Sequence, residues 1–280
     1  MPVTEAAHLA LIASLDALIE ADRLTKKERA LRPVVARLEK ELGTAFRIQG
    51  REFMKEFVKL RPRIQEADDT AVRFVPRDWL IVFAAIVEAT FENILRPLEL
   101  RGRQALLIGG QQFIASIGIS NLVFGLDNPR AIAYLEQFAA SKVTRINETT
   151  RSQLQTLITA SAEDGWSYDR LARKIRDRFE GFAIGKPQQH IQSRSHLVAV
   201  TEVGNAYEEA AHIAAHDLQE GKLQMEKSWS TTGDNRVSDG CRANEAEGWI
   251  PLGRPHASGH QKPLRFPGCR CAELYRRKAV

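Results

Sequence analysis

Cysteine is scarce in this chain: three in 280 residues, an odd number, all after position 240. That excludes the usual secreted disulfide framework, which uses an even number of cysteines in a much shorter chain. An excess of one charge sign is also lacking. Forty basic residues against 35 acidic ones leave a net charge of +5, not the dense positive field of a dedicated DNA-packing protein. No basic leader opens MPVTEAAHLALIASLDALIEADR, which carries Glu5, Asp16 and Glu20. No signal peptide is therefore expected, and a reducing cytoplasm at synthesis is the default. There is no internal repeat, no low-complexity tract, no phosphate-binding Gly loop and no Ser nucleophile elbow.

One run lacks charge altogether, from Ala105 to Leu126. It is long enough to span a bilayer, but it holds Gln111, Gln112, Ser116, Ser120, Asn121 and four glycines. These are costly in lipid and weaken a continuous helix. The reading is a buried helix followed by a turn, with no membrane span.

What is present is helical periodicity. The chain is 44% hydrophobic and 27% charged, enough for a sizeable core in one to three domains. Thr4 is placed to cap a first helix through Leu9, Leu11, Ile12, Leu15 and Leu18. Thr25 and Glu28 form a capping-box pattern opening a second. Its stripe of Leu31, Val35, Leu38, Leu42, Phe46, Phe53, Phe57 and Leu60 runs to Pro62. Asp78 starts another helix, ending near Pro97. Asn128-Pro129 is a cap with proline at the first helical position. Gly165 breaks the helical run through Ile146, Leu154 and Ile158, and Ser167 caps a short helix from Tyr168. Phe182 to Pro187 reads as a loop, and a long helix runs from about Gln189 to Leu218.

The last fifty residues concentrate Cys, Trp, Gly and Pro, as a small irregular unit does when it cannot rely on a large core. A strand is predicted over 226–231, carrying Trp229. Gly233-Asp234-Asn235 is turn chemistry, with Asp234 placed to cap a short helix containing Val237 and Cys241. Trp249 to Leu252 suits an edge strand, and Gly253 to Pro263 a loop. A final strand from Cys269 to Leu274 sets Cys269 and Cys271 on one face and Arg270 on the other. The fold class is predominantly α, with a small α+β C-terminal domain. The regions are a helical 1–100, a helical 101–220 and the mixed tail 221–280.

The order of these motifs is more specific than any one of them. KSWSTTGDNRVSDGC, then EGWIPL, then FPGCRCAELYRR resembles the tail of the Mu F-like minor head proteins, the phage head morphogenesis family. Asn128-Pro129, Gly165-Trp166-Ser167, Arg194, Thr201-Glu202, Asn205 and Ala206 extend the likeness to roughly 103–275. The resemblance implies a non-catalytic minor head protein of a tailed phage or phage-derived particle. It would bind the portal protein and other head proteins and assist head morphogenesis and genome delivery. It would occupy the head interior or portal vertex of the virion, after synthesis in the host cytoplasm. Glu202, Trp229, Asp234, Arg236, Cys241, Cys269, Arg270 and Cys271 are its motif residues.

Several residues admit other chemistry. Glu202 in a cleft could transfer protons, but no second carboxylate or nucleophile stands at a telling spacing, and an ion pair with Arg236 or Arg270 is the preferred reading. Cys241, Cys269 and Cys271, with His256 or His260 as fourth ligand, are candidates for structural zinc. Many relatives carry cysteine where this chain has Ser238 and histidine where it has Phe266. Both changes remove customary ligands, so no cofactor is expected, with structural zinc, packed free thiols and a virion disulfide left as alternatives. Drawn with Asp234 and Glu245, the same histidines sketch a metal-dependent nuclease. That and a zinc-stabilised nucleic-acid-binding protein are the alternative functions. Arg265, Arg270, Arg276, Arg277 and Lys278 are expected to attract packaged DNA without sequence preference.

Overall fold

The computed structural model describes residues 5–60, 76–119, 121–166, 168–184 and 193–278, with side chains from 26 onward, apart from those of 76, 77, 183 and 184. Its helices are α1 (Glu5–Lys59), α2 (Pro76–Ile117), α3 (Pro129–Glu163), α4 (Tyr168–Ile184), α5 (Arg194–Glu220) and α6 (Asp239–Ala246). Its strands are β1 (Met225–Ser230), β2 (Ile250–Pro251) and β3 (Ala272–Arg277). The chain is thus predominantly α with a small α+β C-terminal end. The expected caps Thr4 and Ser167 lie outside the described residues.

Two helices run on where a stop was expected. α1 continues through the Thr25–Glu28 box, because residues 21–28 contain neither Gly nor Pro and propagation is cheaper than renucleation. α2 begins at Pro76 rather than Asp78 and passes through Pro97. A mid-helix proline costs about 3 kcal/mol, but Ile94 and Leu98 on either side of it are fully buried. That burial holds the helix together across the proline. α4 likewise runs to Ile184, taking Phe182 out of the expected loop.

The charge-free run is the end of α2 and a turn. Gly118 ends it at φ +72, a conformation without penalty only for glycine. No described helix is long and apolar enough to cross a membrane.

The chain forms two compact units, interleaved in sequence. One comprises Ala36–Leu100 and Ala133–Ala199; the other comprises Met1–Val35, Arg101–Ile132 and Val200–Val280. The three regions read from sequence follow motif and helix content, a different kind of division.

In the first unit, α1 buries Leu38, Leu42, Phe46, Phe53 and Phe57. Phe53 meets Phe83 of α2 at 6.1 Å and Phe179 of α4 at 6.0 Å between ring centroids. Gln49 donates to Asn147 (3.0 Å) and Thr90 (3.3 Å), a buried polar tie between three helices. At the other end of the stripe, Val34 rather than Val35 is buried.

In the second unit, α2 and α5 cross closely. A Cβ on Gly109 would stand 2.2 Å from the Tyr207 carbonyl oxygen, so only glycine fits. Tyr207 donates its hydroxyl to Gln112 (2.9 Å). The α5 face is built from Ala206, Ala210, Ala211, Ala214 and Ala215. Asn128 caps α3 as expected, accepting from the Arg130 amide at 2.9 Å. It also ties the turn to α5 by donating to Asp217 (2.6 Å), and Arg130 pairs with Asp217 and Glu220. The antiparallel sheet has the order β2-β1-β3, with Trp229 opposite Glu273 and Lys227 opposite Tyr275.

Candidate functional site: a cysteine cluster beside a buried ionic network

β1 covers 225–230, one residue earlier than the sequence suggests, and β3 starts at Ala272, after the cysteines rather than with them. The turn between β1 and α6 is held by Asp234. Its carboxylate accepts from the Arg236 amide (3.0 Å) and from Arg270 (2.5 Å). The Arg270 guanidinium and the Arg236 amide hold its pKa below the usual carboxylate range. Asp234 is not the helix cap. Ser238, at φ −73 and ψ 154, caps α6 by accepting from the Cys241 amide (3.3 Å). Asp234 stands too far back in the turn to reach the first helical amides, and its oxygens are taken.

That cap places Cys241 inside the fold. Cys241, Cys269 and Cys271 are all buried and unpaired, with the sulfurs mutually within 4.8 Å and Cys241 4.0 Å from Cys269. Trp229, Val237 and Leu264 pack around them. Arg270 turns out to Asp234, as alternation along an extended segment requires. The Cys269 sulfur accepts from the Cys271 thiol and from the backbone amides of Cys271 and Arg265, which brings its pKa down to about 5. The Cys271 thiol is pushed up by that same partner and by burial.

The histidines proposed as further ligands stand elsewhere. His256 is buried edge-on to Trp229 (5.1 Å), with Nε2 2.9 Å from Glu273 and Nδ1 3.6 Å from Glu247. His260 Nδ1 lies 3.0 Å from the Ser258 hydroxyl. Ser238 is engaged by the Cys241 amide and by Arg265 (3.1 Å). Among the described residues, the three thiols are the one cluster with metal-ligand geometry. Structural zinc takes four protein ligands; the set here stops at three and does not fit a closed site.

The nuclease constellation is not assembled either. Glu245 accepts from the Thr231 hydroxyl and amide (2.8 Å each), Asp234 holds Arg270, and the two histidines have the separate partners just given. Glu202 accepts from Asn205 (3.3 Å), while Arg270 is committed to Asp234.

The sequence reading missed a buried ionic network next to the cluster. Lys27 of α1 reaches Glu208 of α5 (2.5 Å) and the Cys271 carbonyl (2.8 Å). The second Glu208 oxygen accepts from the Glu273 amide (3.1 Å). Burial raises the Glu273 pKa, partly offset by His256. Lys227 is also fully buried and donates to the Gln261 carbonyl (2.5 Å). The available signal was Glu208 itself, a charge set among the small residues of α5.

Of the cations expected to meet DNA, Arg276 lies over Trp249 (4.3 Å) and pairs with Glu226 (2.8 Å). Arg265 binds Ser238, whereas Arg277 and Lys278 are exposed.

No curated protein and no solved structure matches this chain. The family model described as Phage Mu protein F like protein matches residues 152–274. This span holds α4, α5, the cysteine cluster and most of the sheet, and starts later than the residue 103 suggested by motif order. Over residues 152–274 the chain is thus similar to the Phage Mu protein F like proteins.

Proposed function

We propose that the protein is a portal-associated minor head protein of a tailed phage or phage-derived particle, assisting head morphogenesis and genome delivery without catalysis. The match of residues 152–274 to a phage head family carries this reading. Its place is the virion, at the head interior or portal vertex, and its partners are the portal protein, other head proteins and, non-specifically, packaged DNA. Co-expression with the cognate portal followed by size exclusion tests it. Co-elution is expected; separate elution at micromolar concentration and low salt overturns it.

The non-catalytic part rests on the dispersal of Asp234, Glu245, His256 and His260 onto separate partners. Incubation with DNA and Mg²⁺, Mn²⁺ or Zn²⁺ should give no cleavage. Cleavage lost on substituting either histidine in a folded variant would establish the nuclease instead. The protein is proposed to work without a cofactor, because the described residues bring together three ligands where structural zinc takes four. Stoichiometric zinc in protein purified without chelator overturns this.

A further inference from the structure

A second cluster lies away from the cysteines, in the unit formed by 36–100 and 133–199. Arg194 opens α5 and is buried to within 8% of full occlusion. Its guanidinium lies between the rings of Phe46 (4.9 Å) and Phe182 (4.5 Å). It donates to the Thr150 hydroxyl (2.9 Å) and the Ile146 carbonyl (2.7 Å). Both partners are neutral, and among the described residues no carboxylate meets it. Burial alone pulls its pKa down to about 10. A charge removed from water normally has an ion partner, because desolvating it unpaired costs several kcal/mol.

Arg194 lines a cleft of about 450 Å³ between α3, α4 and the start of α5. Lys174, Arg178, Asp177 and Gln153 also line it. Lys174 and Arg178 are exposed and, among the described residues, in no ion pair. Three cations facing one carboxylate leave an excess of two positive charges. Two of an arginine's five N–H groups are used here, and the others remain for an oxyanion.

We propose that this cleft binds a doubly charged phosphoryl group, as free phosphate or the terminal phosphate of a small phosphomonoester, through Arg194, Arg178 and Lys174. The charge excess matches a phosphate dianion better than a single carboxylate. The planar guanidinium presents paired donors to two of its oxygens, and the Gln153 amide is a neutral donor at the same wall. The concave shape and the buried position of Arg194 favour a small ligand over a polymer backbone.

Calorimetric titration and thermal unfolding of the full chain test this, using inorganic phosphate, adenosine monophosphate, adenosine, acetate and a short DNA duplex. Phosphate and the nucleotide should bind once per chain and raise the unfolding temperature, while adenosine and acetate should do neither. Equal affinity for phosphate and nucleotide identifies free phosphate as the ligand; tighter nucleotide binding identifies the phosphomonoester. Lys174→Ala and Arg178→Ala, both exposed, should fold normally and each weaken binding about tenfold. Arg194→Met keeps an apolar filling between the two rings and should abolish binding. If that variant does not fold, the two exposed substitutions decide. Absence of phosphate binding at millimolar concentration, binding unchanged in the Lys174 and Arg178 variants, equal response to acetate, or binding of DNA alone would each overturn the proposal.

Discussion

Lys27 and Glu208, 181 positions apart, form a buried ion pair at 2.5 Å, and each also holds the backbone of the cysteine-bearing tail. α1, α5 and the start of β3 are thereby fastened at one point. Removing one partner of such a pair strands the other charge in the interior, at a cost of about 3–5 kcal/mol. Lys27→Met should therefore destabilise strongly. Glu208→Gln, added to it, should recover part of the loss, since its amide oxygen can still accept from the Glu273 N–H. Urea unfolding of the two single variants and the double variant checks this; strictly additive losses would show that the pair is not coupled.

The cysteine cluster should hold one thiolate near neutral pH. The Cys269 pKa is lowered to about 5 while that of Cys271 is raised. The lowered Cys269 value contributes stability present above the unfolded thiol pKa and lost as pH falls through about 5. Ultraviolet thiolate absorbance should show a single step near that value, removed by Cys269→Ser. A first ionisation only near pH 9 would contradict the hydrogen-bond pattern around Cys269.

Packing of Cys241 can be measured separately. Cys241→Ala removes a buried sulfur beside Trp229 and Cys269 and should cost about 1–3 kcal/mol. Equilibrium denaturation reads it, and an unchanged midpoint would show that the tail does not close through this residue.

His212 sets a limit at acid pH. Burial first, then His216, Lys227 and Lys262, lower its pKa to about 3. The unfolded chain takes up its proton near pH 6.5, so this contribution is complete above that value and is lost as pH falls toward 3. The slope is at most about 1.4 kcal/mol per pH unit. His212→Phe should flatten the stability profile across that window; an unchanged profile would remove His212 from the account.

DNA affinity, where present, should be weak and set by few charges. Arg276, Arg265 and Arg270 have partners within the protein, which leaves Arg277 and Lys278 exposed at the C-terminal end. Two phosphate contacts give a slope of about −2 for log affinity against log salt. Filter binding across a salt series measures it; a much steeper slope would require a larger basic surface.

Local chemistry was legible in the sequence. The Asn128-Pro129 cap, the edge strand at Ile250-Pro251, the convergence of Cys269 and Cys271, and the order of tail motifs each depend on a few adjacent residues. The helix start at Thr25 and the helix end near Pro97 were misread: residues 21–28 hold no Gly or Pro to stop propagation, and burial of Ile94 and Leu98 outweighs the local cost of Pro97. Ser238 rather than Asp234 caps α6, since Arg270, 36 positions away, takes the aspartate.

The sequence by itself determined the helical class, the small mixed tail and the family resemblance, because periodicity and turn chemistry are short-range. Only the tertiary structure decided which charges are buried and whom they meet. Lys27 finds Glu208, His256 finds Glu273 rather than the cysteines, and Arg194 finds two phenyl rings and, among the described residues, no carboxylate. Desolvation makes those meetings matter, and desolvation is a property of the packed interior that no local stretch of sequence contains.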